Sequence, residues 1–247
     1  MGLQHATLLT YSSAIAFMHK LNYHCDPTNH FKVTKFLHGA KNLRPTKTKL
    51  HPINKNLLKL LVNAIPTLNT SQYNRTLLRA MMTLLYWGCL RIGEIATSNH
   101  SDHMLSLQQI TIVNQSNHTP YLTINFKSYK HSTGTLPQLR VYSKQDKSIC
   151  PVTALSSYLQ LRPHTNSNAL FLHLLGAPIS RSFFAQHLRT LLSSTPHKGK
   201  KINTHSFRIG RATDLLMAGA SDAKIQKMGR WSSNAYRKYL RPAVILV

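Results

Sequence analysis

The chain has 247 residues, 42% of them apolar, enough for one large domain with or without a small companion and for a sizeable core. Its 31 Lys+Arg against 6 Asp+Glu give a formal net charge of +25, an imbalance that opposes compaction and that a polyanionic partner, above all nucleic acid, explains. No apolar run reaches the length of a membrane span, the start lacks the layout of a secretory signal, and Cys25, Cys89 and Cys150 make neither a disulfide framework nor a zinc pair, which fits the cytosol or nucleus.

In chain order, residues 6–21 carry apolar positions at helical spacing. Asp26-Pro27 then reads as an N-cap followed by proline at the first helical position, opening a second helix through Phe31, Val33 and Phe36 towards Gly39. His19, His24, Cys25 and His30 cluster loosely here and read as solvated or DNA-facing rather than as a metal site. Residues 41–51, basic and broken by Pro45, read as a linker. Leu57, Leu58, Leu60, Leu61 and Ile65 suggest a helix, and residues 73–86 another, apolar enough to be buried and capped by Gly88. Strand-like runs follow at 109–113, 121–126 and 136–142, the last two flanking a polar turn with Gly134 and so forming a hairpin. Helices resume at 151–161 and 182–192, a very basic loop spans 197–201, and helical pieces at 204–217, 222–228 (with Ser221 as N-cap) and 233–240 close the chain. The expected architecture is therefore a short helical module over 1–44 and a mainly α domain over 45–247 with a small three-stranded antiparallel sheet near its middle.

Nucleic-acid chemistry at a phosphodiester needs a nucleophile, cations for the non-bridging oxygens and an acid for the leaving oxygen. With six acids in the whole chain there is no carboxylate cluster to hold magnesium, and neither a P-loop nor a G-x-S-x-G elbow occurs. Arginine, lysine, histidine and tyrosine remain, and they suffice for metal-free transfer to a tyrosine oxygen, with no cofactor expected. Three constellations offer them. In Gly88-Cys89-Leu90-Arg91-Ile92-Gly93-Glu94-Ile95, Arg91 can aim its fork at a phosphate with Glu94 to orient it, or the two can form an ordinary surface pair. In His205-Ser206-Phe207-Arg208 an i, i+3 pair shares one helix face, a weak motif by itself. Gly229-Arg230-Trp231-Ser232-Ser233 is followed by Tyr236 and Tyr239, either of which could simply pack.

Together and in this order the three resemble the tyrosine recombinase (phage integrase) family over roughly residues 41–242, and residues 204–240 look especially like the enzymes of Crypton and DIRS-like mobile elements. The resemblance implies an integrase catalytic core preceded by a shortened core-binding, SAM-like DNA-binding module. It implies cleavage and rejoining of double-stranded DNA through a 3′-phosphotyrosine, without metal or ATP, in a tetramer assembled on DNA, and residence in the nucleus. Carried over by residue, Arg91 and Arg208 grip the scissile phosphate, and His205 assists proton transfer. Trp231 donates its indole N–H to the phosphate or buttresses the tyrosine segment. Lys130, with Lys127 as fallback, protonates the departing 5′ oxygen, and Tyr239, rather than Tyr236, attacks. Two readings compete: a type IB topoisomerase, which typically has a second histidine where this chain has Trp231, and a DNA-binding protein with a relic active site.

Overall fold

The computed structural model describes residues 3, 5–42, 49–97, 103–114, 118–129 and 136–245. The chain divides into two compact units, Met1–Lys49 and Leu50–Val247.

The first unit pairs α1 (His5–Leu21) with α2 (Phe31–Asn42). None of its described residues is buried, and Phe17, Tyr23, Phe31 and Phe36 are exposed. Two helices alone are too little chain to enclose a core. Asp26 is an N-cap, but of a 3₁₀ turn, Pro27–Asn29: its carboxylate accepts from Thr28 N at 3.0 Å and Thr28 Oγ1 at 2.6 Å. His30 is extended (φ −65°, ψ 139°), so the helix starts afresh at Phe31, with His30 Nδ1 accepting from Lys32 N, and it runs through Gly39 to Asn42. The expected linker therefore begins later than residue 41, and its residues 43–48 lie outside the described ones.

The second unit is mostly helical: α3 (Lys55–Ala64), α4 (Gln72–Trp87), α5 (Pro151–Leu161), α6 (Arg181–Ser193), α7 (Ser206–Met217), α8 (Asp222–Gly229) and the short α9 (Pro242–Ile245). Ser71 starts α4 by accepting from Asn74 N, and every residue from 80 to 87 is buried, because α3, α5 and α7 all pack against it. Each buried leucine such as Leu77 or Leu84 contributes roughly 2 kcal/mol relative to exposure. Proline at N1 of α5 and the Ser221 cap of α8, whose Oγ accepts from Lys224 N, set those two starts where the sequence suggests. The sheet is antiparallel in the order β1 (Ile110–Val113), β2 (Tyr121–Asn125), β3 (Gln138–Tyr142). Leu122 faces Val141 and Ile124 faces Leu139 across β2 and β3, on the buried side. The turn that joins these strands, Gly134 included, falls on residues outside the described ones.

One close approach fixes the start of α7. A Cβ on Gly210 would lie 1.7 Å from Ile53 O, so only glycine lets the helix cross the backbone there. Ile53 N donates to Ser206 O at 2.9 Å across the same crossing. The first turn of α7, which carries Ser206-Phe207-Arg208 directly after His205, is thereby anchored from outside the helix.

Candidate active site

The end of α4 is not as its glycine suggests. Gly88 is right-handed (φ −82°, ψ −2°), and the residue that turns left-handed is Cys89 (φ 48°). This buried turn presents two successive carbonyls to two arginines: Gly88 O accepts from Arg230 Nη1 at 3.4 Å and Cys89 O from Arg208 Nη1 at 2.5 Å. A non-glycine residue in this region is strained, and such strain persists only where the surroundings over-determine it. Arg91 follows the turn at the head of a 3₁₀ helix, Ile92–Glu94, rather than at the end of α4. Glu94 is buried; its Oε2 accepts from Arg91 N at 2.9 Å and its Oε1 from Arg91 Nη1 at 3.4 Å. This is no ordinary surface pair.

Arg208 sits in the first turn of α7 and is fully buried. Besides Cys89 O, its guanidinium donates to Gly229 O, at the end of α8. Its Nε meets no acceptor among the described residues. Of its five donors in a rigid plane, two are thus held by backbone carbonyls. Burial, and then the like charge of Arg91, hold the Arg208 guanidinium below its usual range, to about 10, although Cys89 opposes this. His205, just ahead of α7, is pushed down to about 4, first by burial and then by Arg208 and Arg91. It is a neutral ring at neutral pH.

Trp231 and Tyr239 close over this cation. The Arg208 guanidinium lies 4.1 Å from the Trp231 ring centroid and 5.7 Å from that of Tyr239. Tyr239 is 4.9 Å from the His205 ring and 5.0 Å from Trp231, centroid to centroid. Gly229 makes the stack possible, since a Cβ there would meet the Trp231 ring at 1.7 Å. The segment that carries the tyrosines is a 3₁₀ helix, Asn234–Tyr239, rather than an α-helix, and it separates them. Tyr236 is buried against Ala212, Leu215 and Ile225, with its hydroxyl accepting from Arg237 Nε at 3.4 Å; Tyr239 is only half-buried and faces His205.

The structure thus gathers Arg91, His205, Arg208, Trp231 and Tyr239. Lys130 lies outside the described residues. Lys127 is exposed and lines a cavity of about 260 Å³ with His103, Gln109 and Asn168. Sequence reasoning gave no role to Arg230, whose side chain is 1% exposed and pairs with Glu94 at 2.7 Å. The one signal available was scarcity: a buried glutamate in so basic a chain must have a cationic partner. Among the described residues no three His, Cys, Asp or Glu side chains gather as a metal site would.

The lowered affinity of His205 for protons has a consequence for stability. The unfolded chain takes up this proton near pH 6.5 and the folded one only near pH 4, so the contribution is full above pH 6.5 and falls as pH drops towards 4. Replacing His205 by Gln is expected to flatten this arm of the melting-temperature profile. An identical fall in wild type and variant would show that the ring does not titrate as its burial implies.

A family model described as the phage integrase family matches residues 53–243. Among solved structures the chain is similar to XerA recombinase, at 20% identity and a TM-score of 0.56 over 99% of this chain and 81% of that one. It is similar to XerH site-specific recombinase bound to difH substrate in a pre-cleavage complex (16%, 0.55, 97% of this chain and 68% of that one). It is also similar to the Tn1549 transposon integrase in complex with circular intermediate DNA (16%, 0.61, 97% and 76%). At these identities the likeness is one of fold. No curated protein matches.

Proposed function

The chain belongs to the phage integrase family, the tyrosine recombinases, enzymes of DNA strand cleavage and rejoining, and we propose that it performs this reaction with Tyr239 as the nucleophile. The observation that carries the assignment is the packing of Tyr239 against His205, Trp231 and the Arg208 guanidinium. With the Tyr239 segment shifted and Trp231 in place, the scissile phosphate binds at the edge of the Arg208 guanidinium, where Nε has no acceptor among the described residues, within reach of Arg91. The Tyr239 oxygen attacks phosphorus, the bond to the 5′ oxygen breaks, and a 3′-phosphotyrosine and a free 5′ hydroxyl result. A phenol with a pKa of about 10 is a poor nucleophile at neutral pH. His205 is the acceptor for its proton. Burial above all, and then the Arg208 and Arg91 charges, hold the His205 ring neutral; the anion offsets those charges, so phosphate binding strengthens the base. Arg91 and Arg208 stabilise the charge of the phosphorane. Trp231, stacked on Arg208, buttresses the tyrosine segment. Lys130 protonates the leaving 5′ oxygen. The phosphodiester energy stays in the covalent link, and reversal by another 5′ hydroxyl exchanges strands.

The finer reading rests on the motif residues: a Crypton- or DIRS-like mobile-element enzyme, nuclear, acting on duplex DNA as a tetramer, with residues 1–44 as a shortened core-binding module and 45–247 as the catalytic domain. The net charge of +25 supports the DNA partner. Each Lys or Arg on a phosphate releases a condensed counterion. The slope of log affinity against log salt is expected to be about −3 or steeper; a flat response between 50 and 200 mM, on the order of a single contact or less, would remove the basic-groove argument. The activity test is a nicked suicide duplex, its sequence selected from a random pool by binding, incubated in chelator. The expected product is a protein–DNA adduct that survives denaturation. An adduct that appears only when magnesium is supplied would overturn the metal-free chemistry.

A further inference from the structure

We propose that Arg230 is a positioning residue for Arg91, taking up most of the charge of Glu94 so that this carboxylate aligns the Arg91 guanidinium without capturing it. The proposal rests on the recombinase reading above. Arg230 and Glu94 are the most enclosed ion pair among the described residues, with 1% and 3% of their side chains exposed and 2.7 Å between Nη2 and Oε2. The same Oε2 accepts from Arg91 N, which pins the backbone of Arg91. The remaining contact, Arg91 Nη1 to Oε1, is long at 3.4 Å, and the Arg91 side chain is 22% exposed. One carboxylate therefore serves two arginines unequally: it is closely paired with the buried one and loosely with the one that must meet substrate. With position 230 uncharged, both carboxylate oxygens would be open to a bidentate grip on Arg91, the geometry in which guanidinium and carboxylate bind each other best. That grip would turn the Arg91 fork away from the phosphate.

Arg230 is built in from several sides. It ends α8 in the left-handed conformation (φ 56°, ψ 48°), which an arginine adopts only where its surroundings hold it. Its Nη1 donates to Gly88 O at 3.4 Å, on the turn that precedes Arg91. Its guanidinium lies 4.3 Å from the ring centroid of Phe126, just past β2. It also directly precedes Trp231, the ring stacked on Arg208. One side chain so ties the Arg91 turn to the residue that follows β2, and its backbone leads directly into Trp231. A lysine could keep the charge but not the plane that reaches Glu94 and Gly88 while lying on an aromatic ring.

The test is a double-mutant cycle on single-turnover adduct formation at saturating suicide duplex. Arg230→Met is expected to slow the reaction about 100-fold, the scale of a small misplacement of a catalytic group, with DNA affinity within about two-fold of wild type and Arg230→Lys about ten-fold slow. Arg230→Lys retains the charge opposite Glu94 and so keeps the interior paired if the methionine variant does not fold. In an Arg91→Ala background, Arg, Lys and Met at position 230 should react at rates within about three-fold of one another, because the residue through which Arg230 acts is gone. Losses that multiply in that background would assign Arg230 a general structural role and overturn the proposal. A wild-type chain that formed no adduct would instead overturn the recombinase reading, and the role of Arg230 with it.

Discussion

Tyr239→Phe is expected to abolish the covalent adduct, lowering its formation by on the order of 10⁴-fold or more, while Tyr236→Phe retains most of it. Removing the attacking atom of a covalent mechanism costs this much because what remains, binding and charge stabilisation, has nothing to form the bond. The change deletes one oxygen and leaves the ring, so the stack on His205 and Trp231 should persist and DNA affinity should hold. The two tyrosines differ in surroundings rather than in chemistry. Tyr236 is 0% exposed in a small apolar cluster, its hydroxyl next to Arg237 and the carboxylate of Asp222. Bringing it to a phosphate would unpack that cluster. Tyr239 lies at the end of the 3₁₀ segment, directly on the ring of His205. The readout is the slower-migrating DNA band after denaturation. Equal adduct from Tyr239→Phe and wild type would exclude Tyr239 as nucleophile; loss with Tyr236→Phe at an unchanged melting temperature would move that role to Tyr236.

Why some of this was legible in sequence and some was not follows from what each feature depends on. The buried run of α4, the proline start of α5 and the Ser221 cap of α8 are local: periodicity and one capping residue decide them, and they stand where expected. The strands too follow from short β-branched runs, trimmed by a residue or two at their ends. The turn after α4 is different. Gly88 looks like the left-handed residue by type, yet Cys89 takes that conformation, because the carbonyls of both must face Arg208 and Arg230 from distant helices. In the same way, Asp26 caps the turn before the helix rather than the helix itself, since His30 is extended. For the site, the order Arg91, His205, Arg208, Trp231, Tyr239 could be read as a motif, but not which face of each residue is used. Trp231 reads equally as a donor to phosphate or as a buttress, and only the fold puts its ring 4.1 Å from the Arg208 guanidinium. Arg230 was hard to read because its contacts, above all that with Glu94 136 positions away, are made only in the folded chain.

The second large effect is expected at Arg208. Replacing it with Ala should slow adduct formation by about 1,000-fold, near the upper end of what a single preorganised donor to a charged transition state contributes. Lysine should recover little, leaving a deficit of about 100-fold or more. The reason lies in how the side chain is held. Two of its nitrogens are fixed on Cys89 O, in the turn after α4, and on Gly229 O, at the end of α8, and the Trp231 and Tyr239 rings lie beside it at 4.1 and 5.7 Å. The plane is therefore set before substrate arrives, with Nε left unpaired for the phosphate. A lysine ammonium could satisfy one of the two carbonyls, or the phosphate, but has no rigid plane with which to span them. Stability should fall as well, since Ala leaves both carbonyls without donors inside the protein, at about 1–3 kcal/mol for each buried unsatisfied group. This makes Arg208→Lys the more informative variant: with charge retained and the cavity largely filled, its deficit measures fork geometry. A rate within about three-fold of wild type would show that a point charge suffices, and the planar clamp built from Cys89, Gly229 and Trp231 would then serve the fold and not the phosphate.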